Sequence, residues 1–266
     1  MKVTILGSGG QIGAYLTEYL SKKDYAVFEF DITIGEHQDM THIPNTYLRN
    51  AIMNSDFVFF LAFDVGGSRY LKKYQHTFKF INNNTRLMAN VFGYLKDYNK
   101  PFVFASSQMS NMSYSPYGVM KRVGELYTKS LKGVIVKFWN VFGIEKDHDK
   151  AHVITDFIAK GFDTGVIDMM TDGTEEREFL YAEDCCEAFE TIMGCSINSL
   201  VMTSFISLLV SLQAFWKLHE IYKYYSKISA RKSRLFQHRR KMKYKKMLVI
   251  YQTHTSKSGG NQKLTL

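Results

Sequence analysis

The apolar run Val3-Thr4-Ile5-Leu6 is followed directly by Gly7-Ser8-Gly9-Gly10-Gln11-Ile12-Gly13. A run of that kind forms a buried strand, and glycines at 7, 10 and 13 let the backbone turn sharply into a helix packed close against it. The first N–H groups of such a helix have no partners within it and point forward, an arrangement that suits a pyrophosphate. Gly10, Gln11, Ile12 and Gly13 are therefore candidate dinucleotide contacts, together with Gly7. A turn of this type works only where parallel strands alternate with crossover helices, so the rest of the chain should show that alternation.

It does so through the first three quarters of the chain. Short runs rich in β-branched and aromatic residues recur at Lys2–Leu6, Tyr25–Phe30, Asp56–Ala62, Pro101–Ser106 and Gly133–Phe138. Between them, Gln11–Lys22, Thr46–Asn54, Thr77–Tyr98 and Tyr117–Leu131 have helical character. Strands apolar along their whole length are covered on both faces, and their alternation with helices predicts an α/β fold with a doubly wound parallel sheet. Asp184, after Tyr181-Ala-Glu183, reads as part of a helix start and not as a reacting group.

Asp31 ends the second strand, at the distance from the glycine loop where a carboxylate accepts hydrogen bonds from both hydroxyls of an adenosine ribose. It would repel a 2′-phosphate, so the predicted cofactor is NAD and not NADP. Asp39-Met40 and Leu61-Ala62-Phe63 are candidate walls for the adenine and ribose. Farther on, Tyr117 and Lys121 stand four residues apart and share a helix face. With 17 tyrosines in the chain, that spacing alone decides nothing. Position gives it weight, because it opens the helix after Phe102-Val-Phe-Ala-Ser-Ser107, an apolar strand ending in hydroxyls. An ammonium at Lys121 would stabilise a Tyr117 phenolate and make Tyr117 an acid/base near neutrality, with Ser107 bonded to the same substrate oxygen. Ser107, Tyr117 and Lys121 are the predicted catalytic residues, the last two also touching the cofactor.

Taken in order, the glycine loop, Asp31, Phe60-Leu-Ala62, Ala105-Ser-Ser107, Ser115-Pro-Tyr-Gly-Val-Met-Lys-Arg-Val-Gly-Glu125, Asn140-Val-Phe-Gly143 and Asp172-Gly-Thr-Glu-Glu-Arg-Glu-Phe179 resemble the extended short-chain dehydrogenases/reductases of the NAD-dependent nucleotide-sugar epimerase/dehydratase family. The resemblance covers about residues 1–193. It implies a Rossmann domain, a nucleotide-sugar substrate whose diphosphate is contacted by Asn140 and Arg177, and a homodimer formed by the helices at Thr77–Tyr98 and Tyr117–Leu131. Two departures matter. Ser107 and Tyr117 are separated by less chain than in the family, where a longer loop flanks the sugar. Gln108 and Met109 stand where the 4,6-dehydratases carry an Asp-Glu pair, which disfavours dehydration. What remains is hydride chemistry at C4: Tyr117 takes the hydroxyl proton, a 4-keto sugar forms, and hydride returns to its other face. That reads as a 4-epimerase. A reductase or dehydrogenase, and an inactive relative that only binds NAD, are the alternatives.

Charge divides the chain: residues 1–196 hold 20 Lys/Arg and 24 Asp/Glu, whereas 197–266 hold 14 Lys/Arg and the single Glu220. The expected organisation is residues 1–195 as the NAD-binding domain with an incomplete substrate-binding subdomain, and 196–266 as an irregular or helical basic tail. Ile197–Trp216 is apolar but interrupted by Ser, Thr, Asn and Gln, which makes a membrane anchor through 197–246 a weak reading. Arg231–Lys246 belongs to no recognised nucleic-acid module, so no nucleic acid is expected as a partner. The preferred reading is translation out of frame: one codon choice for Lys257–Leu266, read from the third base, gives IWWQPKIDL, which resembles the family's closing segment. Cys185, Cys186 and Cys195 show no zinc or disulfide spacing, so no metal is predicted. The N-terminal apolar run is too short for a signal peptide, and a cytoplasmic location is expected.

Overall fold

A computed structural model describes residues 1–145, 147–171 and 179–197. Its centre is a five-stranded parallel sheet in the order β2-β1-β3-β4-β5. The strands are β1 (Lys2–Leu6), β2 (Ala26–Phe30), β3 (Phe57–Phe60), β4 (Phe102–Ser107) and β5 (Val134–Phe138). Helices α1 (Gln11–Ser21), α2 (Thr46–Met53), α3 (Ser68–Tyr74), α4 (Phe78–Asp97), α5 (Pro116–Ser130), α6 (Val153–Asp163) and α7 (Ala182–Ile197) surround it. A second, two-stranded parallel sheet pairs β6 (Asn140–Phe142) with β7 (Phe179–Tyr181).

Side chains along a strand alternate between faces, and here both faces are dry. Phe57 and Phe59 of β3 join Val3, Ile5 and Val103 against Leu16 and Leu20 of α1 and Phe189 of α7. Val58 and Phe60 join Leu6, Phe102 and Phe104 against Leu48 and Ile52 of α2 and Val91 and Phe92 of α4. The Phe60 ring meets Phe92 at 5.1 Å and Phe104 at 5.3 Å between centroids. This is why the sequence Phe-Val-Phe-Phe shows no polar alternation.

Three of the helices, α2, α4 and α5, begin where a side chain caps them. Asn45 accepts from Leu48 N, Thr77 from Phe80 N and Ser115 from Gly118 N, with Pro116 in the first turn of α5. No side chain caps α1, whose N-cap is Gly10. The expected strands and helices are all present with ends shifted by a few residues, and Asp184 lies in the first turn of α7. Four further pieces carried too little signal: β6 and β7 are three residues each, α3 is seven, and α6 contains a glycine. Arg177 and the out-of-frame reading lie outside the described residues, the membrane reading of 197–246 lies outside them from residue 198 on, and the boundary placed at 195/196 falls within the last turn of α7. Among the described residues no helix is long and apolar enough to cross a membrane.

Candidate active site

Strand order places β2 and β3 on opposite sides of β1, so the crossovers leave in opposite directions and a crevice opens at the carboxyl ends of the strands. A cleft of about 840 Å³ occupies this position. Gly7, Gly10, Gln11, Ile12, Gly13, Asp31, Asp39, Met40, Leu61, Ala62, Ser107, Tyr117 and Lys121 all line it. Residues spread over more than a hundred positions are thus gathered on one surface.

At one end the glycine loop makes close backbone contacts that no side chain could share. Gly7 has φ +95°, and a Cβ there would lie 2.6 Å from Ala62 N. A Cβ on Gly13 would lie 2.0 Å from Gly7 O, so this glycine lets α1 pack onto the loop. A Cβ on Gly10 would meet only Gly7 O, at 3.4 Å, leaving its outer side open. Gln11 turns its side-chain amide away from the loop: in the orientation that satisfies both neighbours it donates to Val141 O and accepts from Gly143 N. Its backbone N–H still opens the helix. Asp31 lies against the loop, its Oδ1 2.8 Å from the Cβ position of Gly9, and accepts from Thr33 N at 2.9 Å and Thr33 Oγ1 at 2.8 Å. Asp39 shapes the next turn by accepting from Thr41 N at 2.8 Å, and Asn90 Nδ2 holds Met40 O at 2.7 Å. An uncapped helix start, an open glycine face and a carboxylate at the end of β2 together fit a dinucleotide.

At the other end, β4 delivers Ser107, and α5 delivers Tyr117 and Lys121 one turn apart on its inner face. Ser107 Oγ accepts from Met109 N at 3.2 Å, and its hydroxyl is close enough to the Tyr117 phenol to act on its acidity. Lys121 Nζ donates to Ala105 O at 2.7 Å and sits 3.8 Å from the centroid of the Phe63 ring, which meets Tyr117 edge to face at 5.8 Å. Burial pushes Tyr117 up to about 12, with the Ser107 hydroxyl acting the other way. Burial pulls Lys121 down to about 7, opposed by the charge of Glu125. In this arrangement desolvation dominates both groups, and the ammonium is bound to a carbonyl, 5.8 Å from the Tyr117 ring centroid.

Asn140 is placed differently from the other candidates. It pairs with Phe179 in the second sheet, and the cleft is lined by its neighbours Trp139 and Val141 instead. Residues not singled out from the sequence complete the wall. Asp64 accepts from Tyr70 OH at 2.6 Å and from Asn83 Nδ2 at 3.3 Å, and its N–H donates to Asn84 Oδ1 at 2.8 Å. Opposite in the chain, Glu145 accepts from His152 N at 2.8 Å and lies 2.6 Å from His152 Nδ1, and its carboxyl is held below the usual range despite burial. Asp64 had a readable signal, since it follows β3 at the strand edge where such crevices form and precedes the punctuation of Gly66-Gly67. Glu145 and His152 had none; a two-residue contact across a loop leaves no periodicity.

Comparison with known proteins agrees with this construction. One curated relative, an uncharacterised UDP-glucose epimerase, YtcB, of Bacillus subtilis, is 24% identical over 234 residues and covers 73% of each chain. The UDP-glucose 4-epimerase of Thermotoga maritima, solved with UDP-glucose, superposes with a TM-score of 0.62 at 17% identity over 73% of both chains. MoeE5, solved with UDP-glucose and NAD, gives 0.61 at 18% identity over 74% of this chain and 73% of its own. At those identities the structures establish the fold alone. The family model for the NAD dependent epimerase/dehydratase family matches residues 3–196, the span that builds the sheet, the glycine loop and the Ser107–Tyr117–Lys121 corner, and by that match the chain belongs to this family.

Proposed function

We propose that this protein is an NAD-dependent oxidoreductase of nucleotide sugars that acts at C4 as an epimerase. The observation carrying the reading is the convergence of Ser107, Tyr117 and Lys121 at one end of a cleft whose other end is the glycine loop and Asp31.

The glycine loop and the first N–H groups of α1 hold the pyrophosphate, Asp31 the adenosine ribose hydroxyls, and Asp39, Met40, Leu61 and Ala62 flank the adenosine. Tyr117 and Lys121 meet the nicotinamide ribose. Bound NAD supplies the hydride acceptor and, in its reduced form, the donor. Tyr117 exchanges the proton of the sugar's C4 hydroxyl, Ser107 hydrogen-bonds that same oxygen, and the positive charge on Lys121 favours the phenolate at the moment of proton transfer. Phe63 covers Lys121 and Tyr117 and keeps water from both. Asn140 and Arg177 are assigned to the substrate diphosphate, for which the planar donor fork of arginine is suited. Gln108 and Met109, in the turn after Ser107, carry neither acid nor base, which favours epimerisation over loss of water.

The test uses the purified full chain with UDP-glucose or UDP-galactose as substrate. Bound NAD is expected on mass spectrometry, and the two sugars should interconvert without net formation of reduced nicotinamide. Stoichiometric reduction of NAD would instead identify a dehydrogenase. Tyr117→Phe is expected to lower turnover by about 10²–10⁴-fold while NAD stays bound. Wild-type turnover in that variant would sink the assignment of Tyr117.

A further inference from the structure

Behind the corner formed by Ser107, Tyr117 and Lys121 lies a charged cluster with no contact to the cleft in its centre. Glu125, one helical turn beyond Lys121 on α5, is 1% exposed. Its Oε1 accepts from Ser106 Oγ at 2.6 Å and pairs with Lys137 Nζ at 3.0 Å, and its Oε2 accepts from Arg122 Nη1 at 3.0 Å. Lys137 Nζ also donates to Ser110 Oγ at 2.8 Å. These partners come from four pieces of structure: Ser106 from β4, Ser110 from the turn that Ser107 starts, Arg122 from α5 and Lys137 from β5, where it is in register with Ser106.

We propose that Glu125 is a positioning residue: its buried carboxylate fixes β4, the turn after it and α5 to one another and sets a negative charge one helical turn from the Lys121 amine. This rests on the reading of Tyr117 and Lys121 given above. A carboxylate buried this deeply is stable only when several donors surround it, and Glu125 has them, so its acidity is held below the usual value although burial opposes this. The same charge works on Lys121. Burial favours a neutral amine there, and Glu125 is the group that acts in the opposite direction. Two cations, Lys137 on β5 and Arg122 on α5, are paired with Glu125, and Tyr117 is uncharged near neutrality. On β4 the amine meets the carbonyl of Ala105 and the ring of Phe104, 5.1 Å from its centroid, and in the loop after β3 the ring of Phe63. Removing the charge of Glu125 therefore takes away a counterweight to desolvation at Lys121. The neighbouring Ser107 is affected geometrically, because Ser106 and Ser110 on either side of it are both tied to the cluster.

Competitive acetylation with acetic anhydride, quantified at Lys121 by peptide mass spectrometry from about pH 5 to about pH 10, gives the titration midpoint of this amine directly. Glu125→Gln is expected to move that midpoint to lower pH, with a tenfold smaller charged fraction above it for each unit moved. Glu125→Asp, which keeps the charge, should restore it. Should the Gln variant fail to fold, Lys137→Met removes a cation paired with Glu125 and leaves its negative charge in place, and the midpoint is expected to move to higher pH. An unchanged or raised midpoint in Glu125→Gln, or an unchanged or lowered one in Lys137→Met, overturns the proposal. Absence of sugar turnover in the wild-type chain would count against the proposed reaction alone, because the titration of Lys121 is read without substrate.

Discussion

Lys121 shows the conflict between folding and chemistry at the scale of one side chain. An amine that titrates at 10.5 when solvated is drawn down to about 7 by burial. Between those values the unfolded chain binds a proton that the folded chain does not, so stability rises with pH across that window. Below about 7 both states are protonated and the cost of burying the cation is fully present. Lys121→Met keeps the length and packing of the stem and removes the charge. It is expected to raise the thermal unfolding midpoint at neutral pH, by up to about 4 kcal/mol of stability, and to flatten the rise toward alkaline pH. A lower midpoint in calorimetry would show that the hydrogen bond to Ala105 O and the contact with Phe63 outweigh desolvation. Turnover should be lost in the same variant. The charged state of this residue is thus retained at a cost to stability, a pattern that marks functional positions.

At the scale of the element, α5 carries the reacting groups and its ends are fixed by local chemistry. Ser115 and Pro116 start it, and Lys132 ends it in a left-handed conformation with φ +58°. Asp24 and Asn99 take the same conformation after α1 and α4, with φ +61° and +46°. Asparagine and aspartate tolerate that region; lysine gains nothing from it. Lys132→Gly is expected to stabilise the fold by about 0.5–1 kcal/mol, seen as a higher denaturant midpoint with an unchanged slope. A lower midpoint would mean that the side chain contributes contacts worth more than the backbone strain. The start of α5 was legible in the sequence because Ser-Pro before a helical run names its own cap. Its inner face was legible only in part: Tyr117 and Lys121 could be placed on one side by spacing, but Glu125, on the same side, could not be distinguished from a solvated glutamate until β5 brought Lys137 against it.

At the scale of the molecule, α4 and α5 pack side by side on one face of the sheet and leave apolar groups outward. Phe78 is 82% exposed, Leu126 55% and Val119 42%. The resemblance implies that these two helices meet their copies in a dimer, and a surface with this much exposed apolar area is consistent with such a contact. Light scattering after size exclusion is expected to give twice the chain mass, and Leu126→Glu to give a monomer by placing a charge in the contact. A wild-type chain that is monomeric at all concentrations would overturn this expectation. The sequence by itself determined the parallel α/β alternation and the glycine turn, and it placed Asp31 and Ser107 at strand ends and Tyr117 and Lys121 on one helix face, because each of these is written in local spacing and residue type. Tertiary structure alone decided which of the charged groups are buried, that Lys121 binds a carbonyl and Tyr117 is raised, and that Glu145 and His152 share the cleft. Those outcomes depend on desolvation and on contacts between segments far apart in the chain, and neither leaves a period or a spacing to read.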